Sequence, residues 1–198
     1  MSGQQDMDSD ARLEDRHYIN EALRRWARAV DRRDWPLVRT VFHADGYDDH
    51  GMYKGGVDGL IAWLEERHKN ITQSMHVLGN VFIEFAGRDA AVVETYVVAY
   101  QRYEAQSPDD LSQLVAALGE ALAAGGGPVD VMMPARYVDV FERREGRWRI
   151  AERTTIFEGR YVLSTGASPA LDPNWTVGRR DDTDALYGVR ARLFGAQR

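Results

Sequence analysis

The chain has 198 residues, 44% of them hydrophobic and 28% charged, with a net charge of −6. That balance belongs to an ordinary folded domain and argues against a disordered chain or a general nucleic-acid binder. There is no cysteine, which excludes a disulfide scaffold, thiol catalysis and cysteine-ligated metal centres. No apolar run approaches the ~18 residues of a membrane span, and the polar, acidic start does not resemble a secretory signal. These features predict a cytoplasmic protein with no membrane partner. Residues 1–10 read as a disordered leader, 11–160 as one domain, and 161–198 as a C-terminal extension.

In chain order, Ile19, Leu23, Trp26 and Val30 fall at spacings of four, three and four, the apolar stripe of a helix from Asp15 to about Val30. Asp34 before Trp35-Pro36 reads as an N-cap with proline in the first turn. Leu37, Val38, Val41 and Phe42 form the buried face of that second helix, which Gly46 ends, and a short strand over Tyr47–Met52 follows. After the Gly55-Gly56 turn, Leu60, Ile61, Trp63 and Leu64 mark a third helix ending near Asn70.

The period then changes. Met75–Phe85 and Ala90–Tyr103 read as strands joined by a hairpin turn at residues 86–89, and Ala135–Arg143 with Arg147–Phe157 as a second hairpin. Three helices followed by long hairpins predict an α+β fold, the helices packed on one face of a curved antiparallel sheet. Leu111, Leu114, Val115, Leu118 and Leu122 predict an amphipathic helix within 107–128. It is either a surface decoration or a lid over a pocket mouth. The glycine-, proline- and aspartate-rich tail, with Tyr161, Trp175, Tyr187 and Phe194 as anchors, wraps either the domain or a neighbouring subunit.

Phosphate loops, dinucleotide fingerprints, HExxH and GxSxG are all absent. The remaining chemistry is acid–base. His17 reads as exposed, and His43 and His68 as charge partners near helix ends. Asp48, Asp49 and His50 look like cation ligands on paper, but neighbouring residues of a strand point to opposite faces, so no metal is assigned there. His76 alternates with Leu78, Asn80 and Phe82 on a predicted strand face, as either a hydrogen-bonded core residue or a group presented to a cavity. Asp31, just past the first apolar stripe, is either a helix-end residue or its counterpart. Spacing alone leaves both pairs of readings open.

Ala29–Trp35, then Lys54-Gly55-Gly56, Met75–Asn80, Arg136–Asp139 and Gly146–Ile150 occur in an order and spacing that resemble the SnoaL-like branch of the nuclear transport factor 2 superfamily. The resemblance covers roughly residues 12–160, weakens across 107–128 and does not reach the tail. It implies a cone-shaped α+β barrel: three N-terminal helices on a strongly curved sheet, closed around an apolar pocket. Among its members, the scytalone dehydratase and hexachlorocyclohexane dehydrochlorinase patterns resemble this chain most. Both imply a catalytic aspartate late in the first helix and a histidine on the strand after the third, matched here by Asp31 and His76.

Tyr100 stands where the dehydratase pattern has a second histidine, and Arg153 matches the dehydrochlorinase arginine, with pairing to Glu94 or Glu152 as its plain structural alternative. The resemblance thus implies a cofactor-independent lyase or isomerase. Its Asp-His general base would act on a small hydrophobic, cyclic substrate lined by Trp26, Tyr47 and Phe82, with Tyr100 or Arg153 stabilising developing negative charge or assisting the leaving group. Two alternatives stand beside it. One is a non-catalytic ligand-binding module or small subunit of an aromatic-ring dioxygenase. The other is ring-opening hydrolysis using Asp48 or Asp49. Relatives of this kind imply a homo-oligomer, a trimer before a dimer.

Overall fold

The first helix, α1 (Leu13–Arg32), buries Ile19, Leu23, Trp26 and Val30, the four positions of the apolar stripe. In this computed structural model, which describes residues 12–103, 128–163 and 172–195, α1 ends on Arg33 in the left-handed conformation (φ 56°). That conformation costs a non-glycine residue roughly 1–2 kcal/mol. Its backbone N–H closes onto the last helical carbonyls, and its guanidinium donates to the Ile71 carbonyl at 2.6 Å. Asp34 caps the short α2 (Trp35–Val41) as read from sequence, its carboxylate accepting from the Leu37 N–H at 3.1 Å.

Helix α2 stops earlier than the pattern predicts. Phe42 is already the first residue of β1 (Phe42–Asp49), because it is held in register opposite Ile150. Gly46 lies inside this strand at a register shift, not at a helix end. A Cβ there would stand 2.9 Å from the His43 carbonyl oxygen, so only glycine fits. β2 (Lys54–Gly56) and α3 (Val57–His68) follow, then four long strands: β3 (Ile71–Phe85), β4 (Ala90–Tyr103), β5 (Val129–Arg144) and β6 (Arg147–Phe157). A short β7 (Tyr161–Leu163) and α4 (Ala185–Phe194) complete the described elements.

The sheet runs β2-β1-β6-β5-β4-β3, with β7 on the far end of β5. It is antiparallel except for β1–β6, which pair in parallel where an all-antiparallel sheet was expected. The sheet is curved and open, and α1 to α3 pack into its concave side. Trp26, Leu23, Phe42, Leu60, Phe141 and Ile150 form the main core there; each such side chain contributes about 1.5–3 kcal/mol on burial. A smaller core of Ile71, Ala99, Tyr103, Val131 and Met133 sits toward the open end of the sheet.

The predicted leader and the predicted helix in 107–128 lie outside the described residues, apart from Pro128. The described part of the tail wraps the domain itself, through Arg180. No helix among the described residues is long and apolar enough to cross a membrane.

Candidate active site

Asp31 sits on the last turn of α1 and His76 on edge strand β3, two elements packed along their length. The His76 Nδ1 donates to Asp31 Oδ1 at 2.7 Å, the Ser74 hydroxyl to the same oxygen at 2.8 Å, and the His76 backbone N–H to Oδ2 at 2.9 Å. A carboxylate only accepts, so this contact puts the proton on Nδ1 and leaves Nε2 of the neutral ring as a base. Nε2 makes no hydrogen bond among the described residues. Burial pushes the Asp31 carboxyl up, but the His76 ring, the His76 backbone and Ser74 outweigh it and hold the group below its ordinary value.

Arg180, from the tail, locks this corner. Nε donates to the Asp31 carbonyl (2.8 Å), Nη1 to the Ile71 carbonyl (2.7 Å), and Nη2 to the Val30 carbonyl (2.9 Å) and His68 Nδ1 (2.7 Å). The first of these bonds satisfies the Asp31 carbonyl, which the end of α1 leaves open. Burial, with Arg33 close by, pulls the Arg180 pKa down to about 10. Burial and the Arg180 charge push the His68 imidazole well below its usual range, so His68 is a neutral acceptor rather than the helix-end cation read from sequence.

Two hollows flank this corner. A groove of about 630 Å³ carries Asp31 and His76, with Ala27, Leu78 and Met75 as apolar contacts and Arg24, Arg28 and Arg32 of α1 around them. A more apolar cavity of about 440 Å³ lies between α3 and the inner face of the sheet, lined by His50, Trp63, Met133 and Phe157 among others. His76, Ala99 and Met133 are directly opposed across β3, β4 and β5, so the histidine shares the inner face with a residue of that cavity.

The other residues assigned from sequence lie elsewhere. Tyr100 opposes Met75, not His76, so it stands on the other face of the sheet from the histidine and lines the groove beside Met75. Burial and a hydrogen bond to Asp130 raise its pKa, so the phenol keeps its proton and donates it to that carboxylate. Arg153 is 0% exposed and bidentate to Asp139, with both bonds 2.7 Å, rather than paired with Glu94 or Glu152. Its guanidinium lies over Tyr137 (4.0 Å to the ring centre) and Trp26 (4.7 Å). It is a buried structural ion pair and touches neither the dyad nor the lining of either hollow.

Trp26 is a core residue, 1% exposed. Tyr47 faces away from the core on β1, opposite Gly56. Phe82 is 61% exposed on the outer face, because two residues of β3, Gly79 and Asn80, oppose the single residue Tyr96. That bulge reverses the alternation, so Val81, Ile83 and Phe85 take the inward positions that the simple period assigns to Asn80 and Phe82.

A family model, described as a SnoaL-like domain, matches residues 11–154. The chain belongs to the SnoaL-like family. No curated protein matches it. Among solved structures, a candidate scytalone dehydratase from Novosphingobium aromaticivorans DSM 12444 is similar at 16% identity and TM-score 0.61, covering 83% of this chain and 99% of that one. Hexachlorocyclohexane dehydrochlorinase LinA-type3 from Novosphingobium barchaimii LL02 is similar at 17% identity and TM-score 0.64, covering 82% and 100%. LinA Type2 is similar at 17% and 0.65, covering 84% and 100%. At such identities the likeness establishes a shared fold.

Two features of this SnoaL-like chain go beyond the residues assigned from sequence. Arg180 carries no motif and stands far from Asp31 in sequence. Asp48 and His50 had a signal, since residues i and i+2 of a strand share a face. Both turn inward, and His50 Nδ1 lies 3.2 Å from Asp48 Oδ1. No group of three or more metal-binding side chains occurs among the described residues.

Proposed function

We propose that this SnoaL-like protein is a cofactor-independent lyase, of dehydratase or dehydrohalogenase type, or an isomerase, with Asp31 and His76 as its general-base dyad. The observation that carries the reading is the 2.7 Å bond between His76 Nδ1 and Asp31 Oδ1, made by a carboxylate that two further donors hold in place. His76 Nε2 takes a proton from a carbon next to an activating group, and Asp31 stabilises the imidazolium formed. In an elimination, the C–H electron pair becomes the new double bond, and the leaving group departs with its bonding electrons, either as halide or as a hydroxyl that takes the proton from the His76 imidazolium and leaves as water. In an allylic shift, the same imidazolium returns the proton to a different carbon.

The substrate is a small cyclic compound whose apolar body rests on Ala27, Leu78 and Met75. The α1 arginines beside the dyad, Arg24 and Arg28, meet the negative charge that develops on the activating group. They take the role that the family resemblance gave to Arg153.

The test is a panel of cyclic β-hydroxy ketones and halogenated cycloalkanes in D2O, followed by NMR for alkene formation and deuterium uptake. Wild type is expected to turn over at least one class, with His76→Gln slower by ~10²–10⁴-fold. Equal turnover by wild type and His76→Gln would refute the dyad.

A further inference from the structure

We infer that Arg180 is the positioning residue of the Asp31–His76 pair: its one guanidinium fixes the end of α1 against the start of β3, and so sets the spacing across which the two side chains meet. The inference rests on the dyad reading above. It adds to the site a residue of the tail, beyond the matched SnoaL-like domain.

The sheet creates the need for such a residue. β3 is an edge strand, paired with β4 on one side only, and its register shifts between Ile71 and Gln73, just before the dyad histidine. Sheet pairing therefore leaves the distance from β3 to α1 to side chains. Asp31 supplies three of those contacts, with Ser74 and with the ring and backbone of His76. Near the pair, the others converge on the Ile71 carbonyl, which accepts from Arg33 at 2.6 Å and from Arg180 at 2.7 Å. Arg33 reaches the strand from the end of α1 alone. Arg180 holds strand and helices together, since the same fork bonds the Val30 and Asp31 carbonyls of α1 and His68 Nδ1 at the end of α3. Gly178, two residues earlier, lines the dyad groove.

The surroundings of Arg180 set it apart from a structural arginine. Arg153, also buried, lies bidentate on Asp139. Arg180 is 8% exposed, yet its acceptors are three carbonyls and a neutral imidazole, and no carboxylate pairs with it among the described residues. A buried cation without a paired anion is costly, and anchoring the tail does not require one. The carboxylate whose field acts on it is that of Asp31, the residue whose main chain it holds. A planar fork with donors in several directions holds three elements at once, which the single point of a lysine ammonium does not.

The test uses the full-length protein with Arg180→Gln, Arg180→Lys and, as a control for lost stability, Asp139→Asn, which lies outside both hollows. Histidine-ring nitrogen NMR, above the pH range in which histidine titrates, reads the His76 tautomer without any substrate. Wild type is expected to hold the Nδ1–H form that the Asp31 contact requires. Both Arg180 variants move it toward a mixture with Nε2–H. On the substrate that the panel identifies, their kcat falls by ~10–10²-fold while KM changes by less than about twofold. Asp139→Asn keeps the wild-type tautomer and kcat. Should Arg180→Gln fail to fold, Arg180→Lys carries the comparison. A wild-type tautomer in Arg180→Gln, full recovery in Arg180→Lys, or the same mixture in Asp139→Asn would each overturn the assignment. An Nε2–H ring in wild type would instead remove the dyad contact itself, and with it both readings. Because the tautomer is read without turnover, a His76 that is no base leaves this test standing.

Discussion

Asp31→Asn is the substitution that the site geometry resolves in most detail. The wild-type carboxylate receives three donors: the Ser74 hydroxyl and the His76 ring on Oδ1, and the His76 backbone N–H on Oδ2. An asparagine with its oxygen at the Oδ1 position keeps two of these bonds but aims its NH2 at a backbone N–H. The flipped amide keeps the backbone bond and donates its NH2 to Nδ1 of the other imidazole tautomer, with the Ser74 hydroxyl free to rotate, which moves the ring proton to Nε2 and removes the base. Either way the site loses a hydrogen bond to a charged group, at a cost of about 1–3 kcal/mol. For an m-value near 2 kcal/mol/M, a loss of ~2 kcal/mol moves the urea midpoint by about 1 M.

The same change weakens the charge that stabilises the His76 imidazolium, so turnover is expected to fall by ~10²–10⁴-fold while the fold survives. The pH dependence has a definite sign. The folded-state pKa of Asp31 lies below its ordinary 3.8, so the carboxylate's contribution is complete above that value. It is lost as pH falls through the lower, folded value. Wild type should therefore lose more stability on acidification than Asp31→Asn, measured by urea melts at pH 6 and about pH 3. Full activity in Asp31→Asn, or parallel acid limbs for the two proteins, would refute the argument.

Arg180→Gln removes the donors to the Val30, Asp31 and Ile71 carbonyls. It is expected to cost roughly 3 kcal/mol or more in chemical denaturation, and an unchanged midpoint would show that the tail is only loosely laid on the domain. Asp139→Asn takes from the buried Arg153 the carboxylate it bonds to, leaving Asp48 as the remaining carboxylate opposite it, a loss of about 3–5 kcal/mol. Asp139→Leu with Arg153→Met is expected to recover most of it, and a double variant less stable than Asp139→Asn would mean that the pair is net stabilising. Self-association through the outer face of β3 and β4, where Phe82, Val77 and Tyr96 are exposed, predicts an oligomer in size-exclusion light scattering that Phe82→Glu dissociates. A monomeric wild type would refute it.

The residues that reveal their place in sequence are those whose placement is local. The α1 stripe, the Asp34 cap and the turn after Phe85 each depend on neighbours a few residues away, and the structure reproduces them. Asp31 and His76 were brought together on paper by family resemblance, because nothing in their spacing joins a helix end to a distant strand. Phe82 shows how quickly local reasoning fails: one extra residue at Gly79-Asn80 sends every later side chain of β3 to the other face.

By itself, then, the sequence determined the class of fold and the order of its main elements, since these follow from composition and short-range periodicity. Only the tertiary structure decided which charges meet. Arg153 closes on Asp139 across β5–β6, and Arg180 reaches back from the tail to the end of α1. Each of these contacts depends on strand register or chain return. No local pattern encodes those, because they arise from burying one face of every element at once.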